Sequence, residues 1–446
     1  MDISSEILST TLGIRGCPDF VAARLSINSR DITGGELFVA INRGHEFVAE
    51  ALGHGAVAAI IDDPKYSVPG KTILVENTTG ALKAIGRCVK DKICLKKVVG
   101  ITGSVGKTTT RSWLTTVLSR EYRTFSSIRN YNTIYGLPIS LSLLEPGTEF
   151  GVFEMGSSNS GEIAELSQYL EPDIGVITNI YESHIGRFGS KEALAHEKIS
   201  IVEGIRPGGA LVFDGDCEFA DDIRLAATSK QLQCFSVGFS QDCDFCILLN
   251  SPCVELHTPT GVLRYEVPFT GKHFAYITAC VVAIIHAMEL DIRVFLPFFK
   301  ELSLLDGRGA IKKCKYAGKI FDVIDDSYNA GPSAMLAALN NLSTKQAPRK
   351  IAVIGQMGEL GDFELHYHQL VAEKLSSMNL AHVFFIGSET LWNTMRVCEN
   401  VECFAQMSDF VIEKMLKIIQ NGDIVLLKGS RSVGLDRFLD YVCSTT

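Results

Sequence analysis

The chain has 446 residues, a hydrophobic content of 46% and a net charge of -9. The size prior predicts about three domains, the composition is that of an ordinary globular protein, and the acidic balance argues against a nucleic-acid surface. The longest apolar run, Ala279 to Ile285, is too short to span a bilayer. Met1 to Ser5 carries neither a basic region nor an apolar core, so a cytoplasmic protein is expected. The 13 cysteines follow no regular frame, which suits reduced thiols. Cys243 and Cys246 form a CxxC with no second ligand pair at zinc spacing, so both are read as small buried residues.

In chain order, the first part holds short strand-like runs, Glu36 to Ala40 and Ala56 to Ile61, separated by a helical stretch. The run from Val98 to Ile101 then predicts a strand that breaks into Thr102-Gly103-Ser104-Val105-Gly106-Lys107-Thr108-Thr109. Gly103 and Gly106 can take backbone angles closed to other residues, letting N–H groups converge on phosphate oxygens. Lys107 is placed to neutralise β/γ-phosphates and the Thr108 hydroxyl to hold Mg²⁺. Trp113, Leu114, Val117 and Leu118 at helical spacing predict a following helix, whose N-terminus adds positive potential. The loop lacks the first glycine of the common P-loop, having Ile101 there, so an ordinary strand-to-helix turn is the competing reading.

Further on, Phe150 to Glu154 reads as a strand ending in a carboxylate, where ligands of open α/β sheets bind. Gly175 to Ile180 reads as another, leading to His184 in a loop, either an ordinary surface residue or a site residue. A helix is expected over 191–205 with Lys198 on the stripe of Leu194, Ile201 and Ile205. Such a lysine either snorkels to water or, desolvated, has a lowered pKa and reacts with CO₂ to give a carbamate that ligates metal. Asp306 to Gly309 reads as a hinge. Four strand candidates follow, Ile320 to Ile324, Ile351 to Ile354, Val383 to Ile386 and Ile424 to Leu427, with helical stretches between them. Strands alternating with helices predict an α/β protein with mostly parallel sheets.

Gly103-x-x-Gly106-Lys107-Thr108-Thr109, Glu154, Thr178-Asn179-Ile180, His184, Phe188-Gly189-Ser190 and Lys198 follow in the order seen in the Mur ligases. Asp326-Ser327-Tyr328-Asn329-Ala330 with Pro332, Met357-Gly358-Glu359-Leu360-Gly361 and Lys428-Gly429-Ser430-Arg431 resemble the members of that family that add D-alanyl-D-alanine. Ile128-Arg129-Asn130-Tyr131-Asn132, with Gly136 and Pro138, belongs to the same pattern. Near the N-terminus, Ser29-Arg30 and Gly35 to Ala40 resemble the family's UDP-binding domain.

The resemblance implies three domains: a small α/β UDP-muramoyl-peptide-binding domain over 1–95, a central P-loop parallel-sheet ATPase domain over 96–307, and a C-terminal Rossmann-like domain over 308–446 that closes over ATP and binds D-Ala-D-Ala. It implies an ATP-dependent amide ligase that joins D-Ala-D-Ala to UDP-N-acetylmuramoyl-tripeptide through an acyl phosphate in peptidoglycan precursor synthesis. Lys107, His184, Lys198 and Arg308 would be catalytic. Gly103, Ser104, Val105, Gly106, Lys107, Thr108, Thr109, Asn130, Asp326, Tyr328 and Asn329 would bind nucleotide, and Ser29 and Arg30 the UDP-linked substrate. Thr108 and Glu154 would hold one Mg²⁺, His184 and a carbamylated Lys198 a second. The expected state is a monomer.

Phe274 and Ile277, in His273-Phe274-Ala275-Tyr276-Ile277, stand where the family carries amides, so that segment is not expected to contact ATP in the family manner. Thr133, Gly331 and Ser200 also depart from the pattern. Two other functional readings fit the motifs: a ligase for another amino acid or for folate, and a non-catalytic nucleotide-binding partner protein. The motifs do not specify whether lysine or diaminopimelate ends the tripeptide.

Overall fold

A computed structural model describes residues 2–15, 17–128, 130–250, 253–269 and 271–444. Its strands gather mainly into three sheets, of four, nine and six strands. In the first, Arg24–Ser26, Glu36–Val39, Ala58–Ile61 and Thr72–Leu74 lie in chain order and are all parallel. Leu37, Val39, Ala58 and Ile60 point to one core and Phe38, Ala59 and Ile61 to another. Both faces are therefore covered, as a parallel sheet requires.

The helix Thr78–Ile93 leads to the second sheet. There the strand Lys97–Thr102 lies between Phe150–Glu154 and Ile174–Ile177, parallel to both. Residues with alternating direction feed opposite cores: Val99 and Ile101 meet Trp113 and Val117, while Val98 meets Phe153 and Leu170. The far edge is finished by Cys253–Thr258 and Gly261–Glu266, which run antiparallel. Among the described residues no helix is long and apolar enough to cross a membrane.

The third sheet contains the four expected strands, observed as Lys319–Asp326, Lys350–Gly355, His382–Ile386 and Ile424–Lys428, all parallel. Two further strands, Ala310–Tyr316 and Val401–Phe404, close its edges. The expected helix over 191–205 is shorter: it spans Lys191–Ile199 and tightens into a 3₁₀ turn over Ser200–Glu203, while Leu194, Lys198, Ile201 and Ile205 all stay buried. The expected hinge is shifted as well. Gly307 N donates to Asp325 Oδ2 at 3.2 Å and Gly309 N to Asp325 O at 2.7 Å, so these residues belong to the third sheet. Trp113 Nε1 holds the Ser303 carbonyl at 2.9 Å on the central side. Leu304 still packs on the central core, so the chain crosses between the two bodies over 305–306.

Candidate active site

The glycine loop follows the strand Lys97–Thr102 directly and ends in the helix Lys107–Leu118. Gly103 has φ +138°, and a Cβ there would come within 2.1 Å of Thr178 Oγ1. Only glycine lets the loop lie this close to the neighbouring strand's end. The loop is fastened from there: Ser104 N donates to Asn179 O at 3.1 Å, Val105 N to Asn179 Oδ1 at 2.9 Å, and Thr178 Oγ1 to Val105 O at 2.7 Å. Ser104 and Val105 thus do not offer free N–H groups to a phosphate. The donors left for one are those of the helix's first turn, which has no side-chain cap.

Lys107 Nζ turns back to the carbonyls of Gly103 at 2.6 Å and Ser104 at 3.3 Å. Burial pulls its pKa down. Thr108 Oγ1 donates to Glu154 Oε2 at 2.9 Å, and the other oxygen of Glu154 accepts from Asn132 Nδ2 at 2.9 Å. Glu154 is 5% exposed, at the carboxyl end of its strand. Arg111 approaches it only to 3.9 Å and donates to Ser127 Oγ at 3.3 Å. Asn130 is exposed in the preceding turn, and Arg129 lies outside the described residues.

Lys198 does not snorkel. It is 2% exposed and donates to Ser157 Oγ at 2.8 Å. Burial first, then the Lys107 charge, push its pKa down to about 7. His184 sits half-buried in the loop after Ile174–Ile177, its Nδ1 paired with Glu359 of the third sheet. Burial lowers its pKa against the raising effect of Glu359.

The third sheet contributes across the gap. Arg308 Nη2 donates to Thr108 Oγ1 at 3.0 Å, and its guanidinium stacks on the Tyr328 ring, 4.2 Å from the centroid. Asp326 is paired with Lys428 at 2.8 Å; burial raises its pKa and Lys428 opposes the rise. Lys428 also donates to the Asn329 carbonyl at 3.1 Å. A cleft of about 270 Å³ lies between Ser183 and His184 on one side and Asn329, Gly331, Glu359 and Arg431 on the other.

Lys107, Thr108, Glu154, Arg308 and Tyr328 therefore converge, with Lys198 and His184 near enough to Lys107 to feel its charge. Ser29 and Arg30 lie apart, on a 3₁₀ turn of the first sheet's body, where Ser29 Oγ donates to Glu50 at 3.0 Å. Sequence reasoning did not place Asn132, Ser157 and Glu359 among the site residues. Asn132 and Glu359 stand inside segments that carried the resemblance, whereas Ser157 has no motif of its own.

The run His273 to Ile277 serves as a support. Tyr276 donates to the Thr178 carbonyl at 2.7 Å. Ile277 lies 4.0 Å from where a Gly106 Cβ would be, and Phe274 is buried against His273, Phe269 and Trp113. Ile277 thus packs against the glycine loop and Phe274 against the helix that follows it.

Residues 101–285 match the Mur ligase middle domain, and residues 307–431 the Mur ligase glutamate ligase domain. A UDP-N-acetylmuramoyl-tripeptide–D-alanyl-D-alanine ligase of Borreliella burgdorferi is 30% identical over 381 residues, covering 82% of this chain and 79% of that protein. The chain belongs to the Mur ligase family. Among solved Mur ligases, MurF from Acinetobacter baumannii superposes with a TM-score of 0.87 at 26% identity, covering 100% of this chain and 99% of that one. MurF from Thermotoga maritima in complex with ADP superposes with a TM-score of 0.79 at 26% identity, covering 95% and 97%. These Mur ligases share the three-domain fold found here.

Proposed function

We propose that this chain is the ATP-dependent ligase that joins D-alanyl-D-alanine to UDP-N-acetylmuramoyl-tripeptide in peptidoglycan precursor synthesis. One observation carries the reading most of all: Arg308 of the third sheet's body meets Thr108 of the phosphate loop at 3.0 Å, bringing the two bodies together at that loop. The Borreliella burgdorferi relative carries these substrates in its name, and MurF from Thermotoga maritima was solved with ADP.

The reaction balances in two displacements. An oxygen of the tripeptide's terminal carboxylate attacks the γ-phosphorus of ATP, and ADP leaves. The amine of D-Ala-D-Ala then attacks the acyl carbon, loses a proton and expels phosphate. Phosphoryl transfer asks the protein for positioning and charge neutralisation. Lys107, the helix N-terminus at Lys107–Thr109 and Arg308 supply both at the phosphates. We assign Asp326, Tyr328 and Asn329 to the nucleotide, and Asn329 also lines the cleft between the two bodies. We assign Ser29 and Arg30 to the UDP-linked substrate. Seating of the third sheet excludes water, which would hydrolyse the acyl phosphate.

The donor set fits hard cations. Thr108 and Glu154 offer a hydroxyl and a buried carboxylate 2.9 Å apart, suited to Mg²⁺ sharing phosphate oxygens. Among the described residues no group of three or more histidine, cysteine or acidic side chains forms a cage of its own, and an Mg²⁺ held by Thr108 and Glu154 would draw its remaining ligands from phosphates and water. We place a second ion at His184 and Lys198. An ion held there would supply further neutralisation of phosphate charge. A Lys198 held near pKa 7 offers neutral amine to CO₂ at physiological pH, and the carbamate formed is an oxygen ligand. We assign the enzyme to the cytoplasm as a monomer serving cell-wall growth and division.

Phosphate release tests the reading. It is expected to require MgATP, the UDP-linked tripeptide and D-Ala-D-Ala together, with tripeptides ending in lysine and in diaminopimelate compared. Turnover with glutamate, a diamino acid or a folate in place of D-Ala-D-Ala would overturn the substrate assignment.

A further inference from the structure

His184 and Glu359 are both non-glycine residues with left-handed backbones, φ +68° and +61°. Such conformations cost on the order of 1 kcal/mol each and persist where the surroundings hold them. These two are held by each other. His184 ends the loop after Ile174–Ile177 and Glu359 lies in the loop after Lys350–Gly355, so the pair joins the second and third sheets.

Around the pair the two bodies are fitted without slack. Gly186 N donates to the Glu359 carbonyl at 3.1 Å. A Cβ on Gly186 would fall 2.3 Å from Gly361 N and 2.4 Å from Leu360 C, so the short helix Ile185–Phe188 rests on bare backbone. Ser333 Oγ donates to Glu182 Oε2 at 2.6 Å beside it.

Glu359 divides its two oxygens. Oε1 accepts from Arg187 Nε at 2.9 Å, while Oε2 meets Nδ1 of His184. An ion pair with Arg187 would suffice for docking alone. The contact at Nδ1 does something else: it sets the face of the ring and leaves Nε2, on the opposite side, turned away from Glu359, the arrangement usual for a metal-ligating histidine.

We propose that Glu359 is a positioning residue that orients the His184 ring from the opposite body, so that His184 is correctly presented only when the third sheet is seated. Formation of the acyl-phosphate site and closure of the cleft are then one event. This rests on the ligase reading for its meaning, but its test does not need turnover.

The test uses the full chain with Glu359→Gln, which keeps shape and removes charge, and Arg187→Ala, which removes only the other arm of Glu359. Mn²⁺ binding is titrated by electron paramagnetic resonance in the presence of ADP, alongside kcat and KM. Glu359→Gln is expected to weaken the weaker Mn²⁺ site by about 10–100-fold. Its kcat should fall similarly, with KM for D-Ala-D-Ala within about twofold. Arg187→Ala is expected to leave Mn²⁺ affinity within about threefold. Equal losses in both variants, or unchanged Mn²⁺ affinity in Glu359→Gln, would overturn the proposal in favour of simple docking. A wild-type chain that binds Mn²⁺ but never turns over would instead count against the ligase reading.

Discussion

Arg308 reaches across 200 residues of sequence to donate a hydrogen bond to Thr108 Oγ1 at 3.0 Å. The contact joins the residue that opens the third sheet's body to the first turn of the phosphate-loop helix, and Tyr328 braces the guanidinium from its other face. On the proposed ligase reading, Arg308 would face the negative charge that gathers on a transferring phosphoryl group. Arg308→Ala is expected to lower kcat by about 10²–10³-fold, the loss seen when a preorganised donor is removed. Steady-state kinetics at saturating ATP check this; a change confined to KM for ATP would mean ground-state binding only.

Lys107 lies at the other side of the same locus. Its ammonium donates to two loop carbonyls. Lys107→Ala is expected to abolish ADP formation in a single-turnover mixture of ATP and UDP-linked tripeptide, without D-Ala-D-Ala. Retained single-turnover ADP formation would remove Lys107 from the phosphoryl step.

For Lys198, the amine is almost fully buried and donates to Ser157 Oγ. Lys198→Ala is expected to be inactive and partly rescued by added formate or acetate, which can occupy the space of the carbamate. Absence of rescue would count against the carbamate while leaving the ligase assignment standing.

Asp214, at the end of the strand Ala210–Asp214, gives a pH signature of stability. Burial pushes its pKa up to about 7 from an ordinary value near 4. The folded state thus binds more protons than the unfolded between those values, and this contribution to stability is present below pH 4 and lost as pH rises through about 7. Asp214→Asn keeps the acceptor for Asp216 N and removes the titration. Its melting temperature should overtake that of the wild type between pH 5 and pH 8 by about the equivalent of 1–4 kcal/mol. A constant difference across that range would show that Asp214 ionises normally.

The phosphate end of the site was legible because its signal is local. A glycine loop between an apolar strand and an amphipathic helix needs only a dozen residues, and Gly103 is forced by contact with Thr178. Glu154 was legible by its place at a strand's carboxyl end. What connects the bodies was not, since Glu359 meets Arg187 across 172 positions and no spacing rule predicts such a pairing. The edge strands Ala310–Tyr316 and Val401–Phe404 were missed for another reason. The first carries Lys312, Lys313 and Lys315 on a sheet edge, where charge guards against pairing and hides the strand pattern. The second is only four residues long, with all four half-buried. The bonds that occupy Ser104 N and Val105 N come from Asn179, just past the strand Ile174–Ile177 and 74 positions from Val105, a distance no local pattern signals.

The central claim is that the tripeptide carboxylate is activated as an acyl phosphate. Its most direct test supplies UDP-linked tripeptide carrying ¹⁸O in both oxygens of the terminal carboxylate, with MgATP and D-Ala-D-Ala, and weighs the released phosphate by mass spectrometry. One ¹⁸O per phosphate is the expected result, the other remaining in the new amide. Unlabelled phosphate, or label appearing in AMP, would contradict the account.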